Sequence, residues 1–514
     1  MNSIVKLIFA FTILLFCSCS EDFLDKQPLD QVVSSNFYQT ESDAMEALVS
    51  VYDVLGYQST PGVSWAPFIT VSDILSDDAY AGGSDANDGF DQQQLNTFTT
   101  PTTNVIMHSV WLKNYTGIYR ANLLLGIIDG IDASDAFKTR VIAEAKFLRA
   151  YFYVELVRFF ENIPLITEVL SDPADYSQPQ AAPQEVYDQI ALDLLDAFNV
   201  LPEQVETGRV DKWAAAALLA RAYLFSNDIY GTDMQAGSVT VDRSRVVSML
   251  DDLIASGNYA LLDNYDDIFR LANEFSVESV FEISHGDNPA WWDWGYVRGG
   301  EGNLAAQMQG PRVTGSDNWN RGWSFAPVSH DLFSAFSDGD SRRASSITME
   351  AELDGNLVKG FQHTGYFSKK YSSDAEHWGS DGQFEHNRKT NFRVIRYSDV
   401  LLMAAELGSP NAQSYFDEVR ARVGLPSKPV SVDNIIEERR LEFALEGIRY
   451  FDVIRKGADF AFGELTETGV RGPNYEGDQI IFDVQFNPTT KGFLPIPQRE
   501  VDLSAGVFIQ NAGY

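Results

Sequence analysis

A cluster of tryptophans in the second half of the chain offers the side-chain chemistry that most directly suggests a ligand. Five of the nine tryptophans lie within 33 residues of one another, with a tyrosine beside them: Trp291, Trp292, Trp294, Trp319, Trp323 and Tyr296. The first three cannot all share one face of a helix or strand, so some rings should reach solvent. Flat apolar rings with a polar edge suit sugar rings, which present C–H faces and hydroxyl rims. The alternative is a local aromatic core under a long loop, since tryptophan is highly buried on average.

Motifs for catalysis, cofactors and metals are absent or weak. The chain has no P-loop, HExxH or GxSxG pattern, and residues 300–305, GEGNLA, fit a dinucleotide fingerprint without the βαβ context it requires. The six histidines show no metal-ligand spacing. The aspartates of residues 85–88 have the wrong spacing for an EF-hand, which favours a solvated acidic loop and leaves calcium binding undecided. Abundant carboxylates alone do not indicate a glycosidase, which needs two at a set distance. We therefore expect no enzyme activity and no cofactor, and we assign no residue to a metal site.

The charge of the chain argues against one class of partner. The 38 Lys and Arg residues stand against 73 Asp and Glu residues, a formal net charge of −35. Such a field repels nucleic acid and anionic lipid headgroups. The 514 residues, 45% of them hydrophobic, suffice for one large domain or for two to three ordinary ones.

The N-terminus has the pattern of a bacterial lipoprotein. Lys6 precedes the apolar run 7–16, which is too short to span a membrane and is typical of a signal peptide. Residues 16–19, FCSC, look like a lipobox in which small Ser18 precedes Cys19. We expect a signal peptide over 1–18 and a lipidated tether over 19–40, with Cys19 carrying the membrane anchor.

The stretch 433–457, DNIIEERRLEFALEGIRYFDVIRKG, is the segment around which the other elements are expected to pack. Apolar residues recur at steps of three and four, acids crowd its start and bases its end, so the pattern predicts one helix packed on several sides. Its internal charges predict pairs three residues apart, Arg439 with Glu442 and Glu446 with Arg449. A catalytic carboxylate is the less favoured interpretation, because structural ion pairs are common.

Helix signals place a frame on both sides of loop-rich regions. A capping-box pattern at Thr40 predicts a first helix, and the main frame is expected over about 104–256 and 394–457. Paired helices of this length and spacing suggest tetratricopeptide-like stacking, although the sequence shows no clean repeat period. The regions 57–103 and 259–390 are predicted to be loop-rich: in the first, Gly, Ser, Asn and Asp separate short apolar runs, and in the second, β-like runs such as 277–283 alternate with Gly- and Asp-rich loops.

Three blocks of this sequence resemble the SusD/RagB family of nutrient-binding lipoproteins from the outer membrane of Bacteroidetes. They are FLDKQPLDQVVSSNFYQTESDAMEAL at 23–48, ERRLEFALEGIRYFDVIR at 438–455 and KGFLPIPQREVDLSAGVFIQNAGY at 491–514. The resemblance implies a mostly α fold: one domain over 41–514, with a tetratricopeptide-like frame and an irregular ligand-binding lobe formed by the two loop regions. The resemblance also implies that the ligand site is built from loops in these two regions, although no motif there aligns residue by residue. Trp65 and Tyr80, in the early loop, are our candidates for a wall opposite the tryptophan cluster.

The function implied by this resemblance is capture of a glycan at the cell surface. The glycan would pass to a SusC-like TonB-dependent transporter in the outer membrane, where the protein is held by its N-terminal lipid. Two alternatives from other classes are a secreted lipoprotein glycoside hydrolase and a helical scaffold that binds only protein. The sequence does not indicate which glycan or linkage is bound, or which transporter takes part.

Overall fold

The computed structural model describes residues 38–58, 65–172, 176–286, 302–319, 321–379, 388–473 and 479–514. The predicted mostly α fold is confirmed in these ranges. The helices are α1 (Glu41–Asp53), α2 (Phe68–Ile74), α3 (Phe90–Asn96), α4 (Val105–Ile127), α5 (Asp135–Phe160), α6 (Pro183–Val200), α7 (Lys212–Tyr230), α8 (Arg243–Ser256), α9 (Leu304–Gln309), α10 (His330–Ala335), α11 (Arg342–Ser346), α12 (Tyr397–Glu406), α13 (Ala412–Arg422), α14 (Val432–Glu442), α15 (Arg449–Ile454), α16 (Ala458–Leu465) and α17 (Gln498–Leu503).

The strands are short and pair in twos, so no large sheet forms in the described ranges. They are β1 (Met234–Ala236), β2 (Val239–Val241), β3 (Ser279–Ile283), β4 (Val313–Thr314), β5 (Ile347–Met349), β6 (Asn356–Leu357), β7 (Tyr366–Ser368), β8 (Phe392–Arg396), β9 (Val470–Pro473) and β10 (Gln479–Ile481). The antiparallel pairs are β1–β2, β3–β8, β4–β6, β5–β7 and β9–β10. Pairing of β3 with β8 joins the two ends of the loop-rich region, and β8 leads directly into α12.

The helical frame is built from neighbours in the sequence. Helices α4 to α8 each pack on the next in chain order, and α12 packs on α7, α8, α13 and α14. Local signals set several of the helix starts. Thr40 and Asp43 form the predicted capping box of α1, and Pro183 occupies the first turn of α6. The result is the tetratricopeptide-like stack expected from the sequence.

The first residues of the predicted second frame segment are extended rather than helical. Val394 and Ile395 lie in β8, where Ile395 pairs with Phe281 of β3, and α12 begins only at Tyr397. β-branched side chains suit a paired strand, and the partner strand lies more than 100 residues earlier in the chain. The sequence of residues 394–406 alone therefore cannot show that a strand partner is available.

The predicted single helix over 433–457 is wrong, because the segment breaks between α14 and α15. Leu445 and Gly447 both adopt left-handed backbone conformations, with φ of 62° and 73°. A side chain at Gly447 would come within 2.9 Å of the ring of Phe68. The Gly447 N–H donates to Asp73 Oδ1 at 2.9 Å. Asp73 of α2 thus takes the place of the backbone carbonyl that would accept from Gly447 in a continuous helix.

The predicted ion pairs within this segment are also wrong, because each charged side chain pairs with another element. Glu442 is completely buried and accepts from Arg396 Nη1 at 2.8 Å, from Arg342 Nη1 at 3.2 Å and from Arg422 Nη2. These arginines come from β8, α11 and α13. Burial opposes ionisation, yet the three guanidinium groups hold the pKa of Glu442 well below its ordinary value.

The remaining charges of the segment extend this buried ionic network. Glu446 accepts from Arg396 Nε at 2.9 Å and from Lys370 Nζ at 2.8 Å. Arg439 bridges Asp399 of α12 and Asp452 of α15. The interpretation of these charges as structural ions, rather than as a catalytic carboxylate with its arginine, therefore agrees with their partners.

None of the helices in the described ranges combines the length and the hydropathy that a bilayer crossing requires.

We predict that Glu442→Gln lowers the free energy of unfolding by about 3–5 kcal/mol, because it leaves three buried guanidinium groups without their shared anion. Glu437→Gln is the matched control, since Glu437 is an exposed residue of α14 that pairs with Lys428 at the surface. Its loss should stay below about 1 kcal/mol. Urea unfolding measures both, and equal losses would show that the network does not depend on Glu442.

Candidate functional site

Two tryptophans from distant loops lie against each other on the surface. The ring centroids of Trp65 and Trp323 are 5.1 Å apart, and the ring planes are tilted by 38°. The Trp65 side chain is 37% exposed, whereas Trp323 is half-buried. The structure thus brings together one residue from each of the two loop regions, and we call these residues the ring pair.

A small apolar cluster supports Trp323 from beneath. Its side chain packs on Leu304, Met308 and Phe325, which form a hydrophobic cluster separate from the main core. Leu304 and Met308 lie on α9, whose first turn is capped by the side chain of Asn303. The ring of Trp323 is therefore held by packing on one face, which reduces the conformational entropy that a ligand contact would cost.

Backbone hydrogen bonds hold the segment that carries Trp323. The Trp323 N–H donates to Gln307 O at 2.9 Å, and the Gln307 side chain donates to Arg321 O at 2.7 Å. The side chain of Arg388, completely buried, donates to Gln307 Oε1 at 2.6 and 3.0 Å. At Gly322 a side chain would meet the backbone of Gly310 at 2.1 Å, so these two segments touch.

Arg312 connects the ring pair to the early loop. Its Nε donates to Trp323 O at 2.8 Å, and its Nη2 donates to Asp88 Oδ2 at 3.2 Å. Burial lowers the pKa of Arg312, against the opposing effect of Asp88 and Asp85. The half-buried pair of Arg312 and Asp88 places hydrogen-bonding groups next to the aromatic surface.

The early loop is fastened to the same structure by its backbone. The Gly83 N–H donates to Ser324 O at 3.0 Å, and Gly83 O accepts from the Phe361 N–H at 3.0 Å. Asp88 Oδ2 also accepts from the Ser84 N–H at 2.7 Å, and Asp85 Oδ1 accepts from the Asn87 N–H at 2.8 Å. These loop carboxylates therefore bind their own backbone, and the described part of the chain contains no group of three metal-binding side chains.

The other predicted site residues divide into two sets. Trp319 is only 8% exposed, and its backbone pairs with Asp374. Tyr80, predicted as part of the opposite wall, is 2% exposed; its hydroxyl donates to Glu467 at 3.2 Å and its ring packs on Phe482. Neither presents a ring face to solvent, because both are covered by neighbouring segments. The second set, Trp291, Trp292, Trp294 and Tyr296, lies outside the described residues.

The sequence did not indicate the polar groups that hold the ring pair. Arg312, Gln307 and Asp88 belong to no recognisable motif, and the local sequence indicates only that Asp88 lies in an acidic loop. Their partners lie up to 224 residues away in the chain. Only the folded chain shows that they meet.

The helix α2, just after Trp65, is anchored to the break between α14 and α15 through buried carboxylates. Asp73 Oδ1 accepts from Gly447, whereas Asp73 Oδ2 has no hydrogen-bond partner among the described residues. Burial first, and then the nearby Asp78 charge, raises the pKa of Asp73 well above its ordinary value. Burial likewise raises the pKa of Asp78 to about 6, although Arg440 donates to its Oδ1 at 2.9 Å.

Two family models match the chain. Residues 348–514 match the model described as SusD family, and residues 22–224 match the model described as starch-binding associating with outer membrane. SusD-like protein P2 of Formosa agariphila is 27% identical over 540 residues, covering 99% of both chains. Starch-binding protein SusD of Bacteroides thetaiotaomicron is 22% identical over 505 residues, covering 86% of this chain and 87% of that protein.

Solved structures show the same fold. A laminarin binding SusD-like protein is 33% identical with a TM-score of 0.79, and the alignment covers 93% of this chain and all of the other. Surface glycan-binding protein A from Bacteroides thetaiotaomicron, solved in complex with laminarihexaose, is 29% identical with a TM-score of 0.78. That alignment covers 92% of this chain and 100% of the other.

We predict that Asp73→Asn gains stability relative to the wild type as pH rises. A raised folded pKa means that the folded state holds the proton more tightly, so wild-type stability falls between about pH 4 and the folded pKa. Asparagine still accepts from Gly447 and does not titrate. The difference in unfolding free energy between variant and wild type should grow by about 1 kcal/mol or more from pH 4 to pH 8.

Thermal and urea unfolding across that pH range measure the difference. Asp459→Asn is the control, because Asp459 is an exposed residue on α16. A flat difference for Asp73→Asn, equal to that of the control, would contradict a raised pKa of Asp73 in the folded protein.

Proposed function

This chain belongs to the SusD family, and on that basis we propose that it captures an oligo- or polysaccharide at the cell surface and passes it to a SusC-like TonB-dependent transporter. The relatives whose names record laminarin, laminarihexaose or starch support glycan binding as the common property. Neutral glucans of these types are the first ligands to test.

The ring pair is the observation that carries this proposal. Trp65 presents an exposed ring beside Trp323, and Arg312 and Asp88 place donors and acceptors at its margin. A sugar ring needs this combination, because its C–H faces stack on aromatic rings while its hydroxyls require hydrogen bonds. We propose that Trp291, Trp292, Trp294 and Tyr296, which lie outside the described residues, extend the same surface.

We propose that the protein binds a glycan without cleaving it. Hydrolysis of a glycoside requires two carboxylates flanking the scissile bond, one of them free to carry a proton. The carboxylate that contacts the ring-pair segment, Asp88, is already engaged by Arg312 and by the Ser84 N–H. The names of the relatives also describe binding proteins. Release of reducing sugar by the pure protein from a glycan that it binds would favour the hydrolase alternative.

We further propose that residues 41–514 act as one domain on a lipidated tether. The tether, 19–40, would place the domain near the membrane from the acylated Cys19, after removal of the signal peptide 1–18. Confinement to the membrane surface raises the effective concentration of the domain around a partner barrel. The description of the family model over residues 22–224 supports an outer-membrane location.

We predict that Trp65→Ala and Trp323→Ala each weaken glycan binding by about 1 kcal/mol, roughly fivefold in Kd, through loss of ring stacking. Both variants should remain folded, because neither ring is fully buried. Trp319→Ala is the contrasting variant, since its buried ring should cost about 3–5 kcal/mol of folding stability. Isothermal titration with laminarihexaose and maltohexaose, together with melting curves, separates the two effects. Folded Trp65→Ala and Trp323→Ala proteins that bind like the wild type would exclude the ring pair as the site.

We predict that Cys19→Ala abolishes incorporation of labelled palmitate and reduces recovery of a large outer-membrane barrel with the protein. Purification of the native protein in mild detergent should bring the barrel with it, and the variant should bring much less. Cys17→Ala is the control and should behave as the wild type. Loss of labelling in Cys17→Ala but not in Cys19→Ala would assign the lipid to Cys17. Recovery of the native protein only as a monomer, without any barrel, would contradict the transporter partnership.

A further inference from the structure

A cleft in the helical frame, which we call the frame cleft, shares no residue with the ring pair. Its volume is about 660 Å³, within the range of small-molecule sites. It is lined by residues of α14, α15 and α16, by Arg455 and Lys456 between α15 and α16, and by Asp228 of α7.

The lining of this cleft is balanced in charge, although the chain as a whole carries −35. Four lining residues are basic and four are acidic: Arg440, Arg449, Arg455, Lys456, Asp228, Asp433, Glu437 and Glu464. An ion of either sign would meet unfavourable charges together with favourable ones. A neutral ligand whose groups both donate and accept hydrogen bonds suits this lining better.

Two arginines of the cleft are held rigidly with donors to spare. Arg449 donates through Nε and Nη2 to Asp77, at 2.8 Å in each bond. Arg440 donates through Nε to Asp78 at 2.9 Å and through Nη2 to Asp331 at 2.7 Å. The Nη1 group of neither arginine has an acceptor among the described residues. Because Asp77, Asp78 and Asp331 hold both guanidinium planes, these N–H groups can bind a hydroxyl with little loss of side-chain entropy.

An aromatic ring completes the cleft. Phe460 of α16 is 37% exposed, and Ile436 of α14 lines the same space. Phe462, two residues further along α16, is 43% exposed but does not line the cleft. The cleft thus places one accessible ring and an aliphatic side chain beside fixed guanidinium and carboxylate groups.

We propose that this cleft is a second contact site, the frame site, for a neutral oligosaccharide. Sugar hydroxyls would accept from Arg440 and Arg449 and donate to Glu437 or Glu464, while a C–H face stacks on Phe460. This inference rests on the proposed glycan-binding function and adds a site on the frame to the one on the loops. A long glycan held at two places on one chain dissociates more slowly than from either place alone.

The test is isothermal titration of the full chain in detergent with laminarihexaose and with maltohexaose. Two sites per wild-type chain are expected. Trp65→Ala/Trp323→Ala should retain the frame site, and Phe460→Ala should retain the ring-pair site and weaken the other at least fivefold. Phe462→Ala is the matched control and should titrate as the wild type, because it removes an equally exposed ring from the same helix outside the cleft.

The outcomes separate this inference from the proposed function. The frame site is overturned if the wild-type chain shows a single site that disappears in Trp65→Ala/Trp323→Ala, and if Phe460→Ala titrates as Phe462→Ala does. Glycan binding by the protein would still stand. No binding of either hexasaccharide to the wild-type chain overturns both. Melting curves establish that Phe460→Ala is folded, which its exposed position leads us to expect.

Discussion

The buried carboxylate of Glu442 is the interaction on which much of this structure depends. It receives guanidinium groups from α11, β8 and α13, and so joins three elements from the loop-rich lobe and the frame at one point. Each of these charges would be costly in the interior without the others, because the desolvation of an ion is offset only by close, well-oriented partners. The ionic network thus specifies which elements meet, while the surrounding apolar core supplies the main driving force for burial.

The break after Glu442 places both candidate sites. Because the chain turns at Leu445 and Gly447, the Gly447 N–H reaches Asp73, and α2 is drawn against the frame just after Trp65. The same turn separates α14 from α15, and residues of both helices line the frame cleft. One local departure from helical geometry therefore has consequences at two distant surfaces.

The ring pair and the frame cleft use different means to prepare hydrogen-bonding groups. At the ring pair, Arg312 is held by the Trp323 carbonyl and by Asp88, both in loops. In the frame cleft, Arg440 and Arg449 are held by Asp77 and Asp78 behind the surface. In both places a guanidinium group is oriented before any ligand arrives, which lowers the entropy lost on binding. The supporting carboxylates differ in burial, because Asp78 is completely buried whereas Asp88 is half-buried.

The sequence by itself determined the helices, the frame and the family. Caps such as Thr40, Pro183 at the start of α6 and the apolar periodicity of the frame are local features, and local hydrogen bonding follows from them. Only the tertiary structure decided the break at Gly447, the partners of Glu442 and the contact between Trp65 and Trp323, while it buried Trp319 and Tyr80. These depend on groups as far as 374 residues apart. No local pattern distinguishes an exposed tryptophan from a buried one when the covering segment comes from elsewhere in the chain.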